Sequence, residues 1–208
     1  YPHTGGGGSE MIAPSVLLAS GNDAIVDWVV VELRKASDPT SILATRSALV
    51  QRDGDVVELD GASPLLIFES TGSYHLALRH RNHLGVMTLN TFDLNATPTT
   101  IDLSLAATPT FGADARQAVP GAFPAEVLWA GDVNFNELLM YTGQGNDRDP
   151  ILEAIGGTVP TNTVNGYLQA DVDLNGIVRY TGEANDRDII LQNIGGSVPT
   201  AVRNGQLP

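Results

Sequence analysis

No cysteine occurs among the 208 residues. Disulfides, thiolate zinc sites, iron–sulfur clusters and cysteine nucleophiles are thereby excluded. Bases are scarce as well: 11 Lys and Arg stand against 24 Asp and Glu, a net charge of −13. Phosphate backbones and anionic membranes are held by clustered bases, so no nucleic acid and no anionic membrane surface is an expected partner. No apolar run approaches the roughly 20 residues of a spanning helix, and no membrane insertion is expected. Gly-X-Ser-X-Gly, His-Glu-X-X-His and a phosphate-cradling glycine loop are all missing. A glycosidase needs only two carboxylates, but the densest acids here have another use, and no enzyme is expected. The chain begins at Tyr1, not Met. Either a leader has been removed or the chain is an excised fragment, and the expectation is a secreted chain, extracellular or at the cell surface.

What is present is globular in composition, with 42% hydrophobic and 17% charged residues. The acids are uneven: 14 acids against 7 bases over residues 1–130, and 10 against 4 over the shorter stretch 131–208. In the first region, runs rich in Val, Ile, Leu, Thr and aromatics cover 24–34, 42–51, 55–59, 64–69, 74–80, 84–89 and 100–105. Turn signals punctuate them, among them the hairpin pair Asp53-Gly54. This spacing predicts a mainly β domain over 10–105, an antiparallel β-sandwich of immunoglobulin-like type. Three prolines and two glycines within 106–124 predict a linker, drawn as 106–125. Residues 1–9, with Gly5 to Gly8, read as a flexible or partner-docked tip.

Residues 126–208 contain a duplication at an offset of 39: 132–161 and 171–200 are identical at 18 of 30 positions. Two copies are too few for a solenoid and predict a pair packed about a pseudo-twofold axis. Each copy opens with oxygen side chains on alternate residues: Asp132, Asn134, Asn136, then Asp171, Asp173, Asn175. Hard cations take six to eight oxygens, and a tight loop supplies them from its positions 1, 3 and 5 and from the backbone carbonyl at position 7, here Leu138 or Ile177. Position 12 is Gly143 or Gly182 and cannot close the sphere. The acids that follow in Asn-Asp-Arg-Asp can: Asp147 or Asp149, and Asp186 or Asp188. Asp149 and Asp188 are favoured because each opens a helix that Gly156-Gly157 or Gly195-Gly196 ends. The plainer alternative, Asx turns capping helices without metal, needs neither the alternation nor the late acid pair. Two Ca²⁺ sites are expected, magnesium being less tolerant of such flexible loops.

This loop-plus-helix duplication resembles the type I dockerin repeat, through Asp132, Asn134, Asn136 and Asp171, Asp173, Asn175, Gly176. It departs from that repeat in the insertion before the last acid and in Glu137 where the second copy has Gly176. Glu137 predicts a weaker first site, since a side chain in a left-handed turn costs roughly 1 kcal/mol. More broadly the chain resembles the C-terminal part of adhesin- or haemagglutinin-like surface proteins of Bacteroidota. Val26-Asp27-Trp28-Val29, Arg46-Ser47-Ala48-Leu49, His80-Arg81-Asn82-His83-Leu84-Gly85 and the Asn-Asp-Arg-Asp repeats carry that likeness. The resemblance implies an extracellular place and no catalysis.

Arg79 to His83 is the densest basic cluster. It reads as a solvated strand end, with an anionic glycan, an acidic partner or a transition metal as competing uses. Trp28 reads as core and Trp129 as the contact between the two regions. The leading functional expectation is a calcium-rigidified structural or adhesive subunit that self-associates into a surface assembly or fibre, by strand addition among other modes. Its competitors are a dockerin-like adaptor binding another extracellular protein and a lectin-like module binding a glycan.

Overall fold

The computed structural model describes residues 10–208; the expected docking of Gly5–Gly8 lies outside the described residues. The chain is mainly β, and its sheets are antiparallel. Two 3₁₀ turns, Pro14–Leu18 and Gly21–Asp23, lead into a long hairpin of β1 (Ile25–Lys35) and β2 (Asp38–Gln51). Val and Ile crowd β1, as suits a pleated surface. At Asp53-Gly54 the glycine adopts φ +100° and turns the chain into β3 (Val56–Val57). β4 (Gly72–His80) lies on the other side of β1, and β5 (His83–Met87) and β6 (Phe92–Leu94) both pair with it.

These strands join one six-stranded sheet in the order β3-β2-β1-β4-β5, with β6 on β4, and not the two facing sheets of the expected sandwich. Two segments explain the difference. Residues 64–69 join the sheet only through the single bridge Val57–Pro64. Pro64 has no N–H to give, and the Leu66 N–H donates to the Glu58 carboxylate at 2.8 Å. Residues 100–105 form no strand, and within them Asp102 accepts from the Ser104 N–H and hydroxyl.

One sheet face therefore carries Val29, Val31 and Ala48 under Leu65 and Ile67 of that unpaired segment. The other is covered by the chain end: Arg34 donates to the Pro208 carbonyl, and Gly85 sits so close to Leu207 that a Cβ would lie 2.5 Å from it. This double cover buries β1 from Val29 to Arg34 without alternation. The stretch expected as a linker is tied down: the Phe111 N–H donates to Met87, and β7 (Gln117–Val119) pairs with β8 (Ala125–Val127).

The duplicated part contains β9 (Leu138–Met140), α1 (Arg148–Ala154), β10 (Thr163–Asn165), β11 (Ile177–Arg179), α2 (Asp186–Asn193) and β12 (Val202–Asn204). Its pairings are reciprocal. β10 of the first copy pairs with β11 of the second, and β12 of the second pairs with β9 of the first. Thr142 donates to the Pro199 carbonyl and Thr181 to the Pro160 carbonyl, both at 2.9 Å. Neither copy is complete alone. The helices bury Ile151, Ile155, Ile190 and Ile194, each pair one turn apart. A shared core of Val133, Ile151, Val172, Val178 and Ile190 follows, and Leu84 of β5 joins Trp129, Leu139 and Ile194 across the seam with the sheet.

Candidate metal centre

Each loop is built by its own side chains. Asp132 accepts the Asn136 and Glu137 N–H groups, Asn134 accepts Asn136, and Asn136 accepts Leu138. The second loop repeats this with Asp171, Asp173 and Asn175 accepting Asn175, Gly176 and Ile177. These Asx contacts curl each loop around its first acid, Asp132 or Asp171. The curl needs left-handed residues, at Phe135 (φ +60°) and Glu137 (+64°), and at Leu174 (+60°) and Gly176 (+84°).

The acids that reach the loops are Asp147 and Asp186. Asp186 accepts Val172 N–H at 2.6 Å and Asp173 N–H at 3.2 Å on one oxygen, and Arg179 N–H at 2.7 Å on the other. Asp147 does the same with Val133, Asn134 and Met140. The Asp147 N–H also donates to the Met140 carbonyl, which pinches the inserted excursion shut at its base. That is how the chain leaves after position 9 and returns an acid to the loop. Asp149 and Asp188, favoured from the sequence, serve elsewhere. Each exchanges contacts with the Asn three residues before it, 146 or 185, and stays more than half exposed. The exposed acid of the first helical turn braces the asparagine before the helix; the acid buried against the loop is placed for a cation.

In the second loop, ligand oxygens of Asp171, Asp173 and Asp186 lie within 4.8 Å of one another. Asn175 and the Ile177 carbonyl occupy the remaining loop positions. In the first loop Asn134 replaces Asp173, and Asn134 and Asn136 both donate to the Gly145 carbonyl. The first loop thus offers two carboxylates and partly engaged amides, the second three carboxylates. An all-oxygen, acid-rich donor set fits a hard divalent cation.

Burial pushes the Asp132 carboxyl up to about 6, Asp147 up to about 7 and Asp186 up to about 6, and raises Asp171 also. Without a cation Asp132, Asp147 and Asp186 hold protons well above the usual carboxylate range. A group raised in the folded state lends stability that is full below its unfolded pKa and is lost as pH climbs through its folded pKa. The EDTA-stripped protein is therefore expected to lose thermal stability as pH rises from about 4 to about 7. Calcium is expected to reverse that trend by replacing the protons. Melting curves with and without calcium across that range check it.

Glu137 has a use that sequence reasoning missed. Its carboxylate pairs with Arg79 of β4 at 2.5 Å and ties the first loop to the sheet. Glu137→Gly removes the left-handed strain of about 1 kcal/mol but also a partly exposed pair worth up to about 1 kcal/mol. The urea midpoint is expected to move little. Glu137→Ala, which keeps the strain and loses the pair, is expected to fall by about 0.5–1 kcal/mol.

The Arg79–His83 run is not a solvated strand end. His80 at the end of β4 and Arg81 and Asn82 in the turn after it are buried, Arg81 and Asn82 against residues 167–171. Arg81 pairs with Asp27 and approaches Asp171 at 3.6 Å, its guanidinium 4.1 Å from the Tyr167 ring centre. Period-two reading of β4 gave no sign of this, because the covering surface comes from residues 167–171, far along the chain. No family model, curated protein or solved structure matches the chain.

Proposed function

We propose that the chain is a non-enzymatic calcium-binding structural subunit of an extracellular assembly, in which calcium stiffens the duplicated module and its junction with the sheet. The observation that carries this reading is the convergence of Asp171, Asp173 and Asp186 in one loop, repeated in plan by Asp132, Asn134 and Asp147. Asp171, Asp173 and Asp186, with Asn175 and the Ile177 carbonyl, would hold the second ion; Asp132, Asn134, Asn136, Asp147 and the Leu138 carbonyl would hold the first. Bound calcium would supply positive charge that neutralises buried carboxylates and cross-links distant segments, so its binding energy becomes folding energy. The self-associating part of the reading draws on exposed apolar side chains, Phe68 at 83% and Leu66 at 60% on the unpaired segment, with Phe123 at 92%.

The test is calorimetric titration of EDTA-stripped protein with calcium, with light scattering on the same samples. Two events, the second loop filling first because it has the extra carboxylate, together with growing particles, are the expected result. Two events with a steady monomer would favour a dockerin-like adaptor. No binding at millimolar calcium would overturn the reading.

A further inference from the structure

Between the sheet and the second copy lies a chain of contacts that calcium binding does not use. Asn82 donates through Nδ2 to the Gln169 carbonyl at 2.9 Å and the Asp171 carbonyl at 2.7 Å. Those two carbonyls fix its amide, so Oδ1 is the atom that meets His83 Nδ1 at 2.8 Å. His83 Nδ1 must then carry a hydrogen. The same nitrogen lies 2.7 Å from His80 Nδ1, which must accept. His80 Nε2 in turn faces Asp27 Oδ2 at 3.1 Å and donates to it. With the pair in this arrangement, the single His83 Nδ1 hydrogen is shared between Asn82 Oδ1 and His80 Nδ1.

We propose that the His80–His83 pair is an acid-sensitive latch: with both rings neutral it fastens the calcium-binding module to the sheet, and on protonation it loosens that seam. A proton added to His80 Nδ1 would set two N–H groups against each other at 2.7 Å, or move the His83 hydrogen to Nε2 and break its contact with Asn82 Oδ1. A proton added to the far nitrogen of His83 would place a cation beside Arg81, with Asp27 reached only through His80. Of the surrounding charges, Asp27 favours an added proton and Arg81 opposes it. On β1, Asp27 is already engaged by Arg81 and by the Tyr167 hydroxyl at 2.6 Å; Asp171 of the second loop lies beyond Arg81. Loss of hydration also holds the His83 imidazole well below its ordinary value. A group lowered in this way stays neutral in the folded seam while the opened seam takes up its proton. The fastening is thus full above the ordinary imidazole range near pH 6.5 and weakens as pH falls below it.

The backbone bonds beside the latch report on it: Leu84 N–H donates to Trp129 at 2.9 Å and Gly131 N–H to Asn82 at 2.8 Å. The experiment is amide hydrogen exchange on the full chain with saturating calcium between pH 7.5 and 5, corrected for the intrinsic pH dependence of exchange. Leu84 and Gly131 are expected to lose about tenfold in protection per pH unit below about 6.5, while Val30 and Val31 in the sheet centre hold. In His83→Asn and His83→Gln that loss is expected to disappear, the sheet amides reporting in each variant that the fold is intact. Flat protection at Leu84 and Gly131 in the native chain, or the same loss in both variants, would overturn the latch. Repeating the series without calcium separates the latch from the metal loops, since its imidazoles touch no loop carboxylate.

Discussion

Replacing Asp186 by alanine is expected to cost about 3–5 kcal/mol, even in EDTA, and to abolish the tighter calcium step. The carboxylate accepts three backbone N–H groups, and each donor left buried without a partner costs about 1–3 kcal/mol. Asparagine does not rescue it. An amide has one acceptor oxygen, so its NH₂ would face either the Val172 and Asp173 pair or Arg179, donor against donor. Asp186→Asn is expected to lose about 1–3 kcal/mol. Asp188→Asn is the contrast. That side chain is more than half exposed and serves the helix start, so the change is expected to stay within about 1 kcal/mol and to leave both calcium steps in place. Urea melts and calorimetry on the three variants tell which acid closes the loop. Equal loss of calcium binding in Asp188→Asn would return the assignment to the helix-opening acids.

That distinction marks how far the sequence could be read. The 39-residue duplication, the alternation Asp171-X-Asp173-X-Asn175 and the glycine ends of both helices are local signals, and local signals survive folding. β1, β2, β4 and β5 were likewise visible as runs of Val, Ile and Leu bounded by turns. The segments 64–69 and 100–105 had the same composition without the same outcome. Whether an apolar run forms a strand depends on a neighbour with free backbone groups, and Glu58 and Asp102 took those groups first. The choice between Asp147 and Asp149 also escaped the sequence. Both are acids at a helix start, and only the pinch at Met140 decides which one turns inward. The basic run at 79–83 was misjudged for a related reason. Its partners are Asp27, Glu32, Glu137 and Asp171, none within 30 residues of it.

Glu32 is the second site of large expected effect, and it shows what the chain end does. It lies in the middle of β1, 1% exposed, beside Arg34 at 2%. One Glu32 oxygen accepts from Arg34 Nε and Nη2 at 2.8 and 2.7 Å, the other from Arg79 Nε at 2.8 Å. Arg34 spends its remaining nitrogen on the carbonyls of Pro39 and Pro208, so the same guanidinium holds the hairpin turn and the C-terminal residue. Removing one member of a buried pair strands the other, at a cost of about 3–5 kcal/mol. Glu32→Ala is therefore expected to lose that amount in urea unfolding and to release the segment that covers Gly85. Replacing the group as a whole is expected to cost far less. Glu32→Leu with Arg34→Met removes both buried charges and keeps the volume, and such exchanges are neutral or stabilising in other proteins. The double variant should recover most of the lost stability while Arg79 keeps its contact with Glu137. If it does not, the ion pair is needed for more than its own neutralisation. The carbonyl contact to Pro208 is then what fastens the chain end over the sheet, and trimming residues 206–208 from the native chain should reproduce the same deficit.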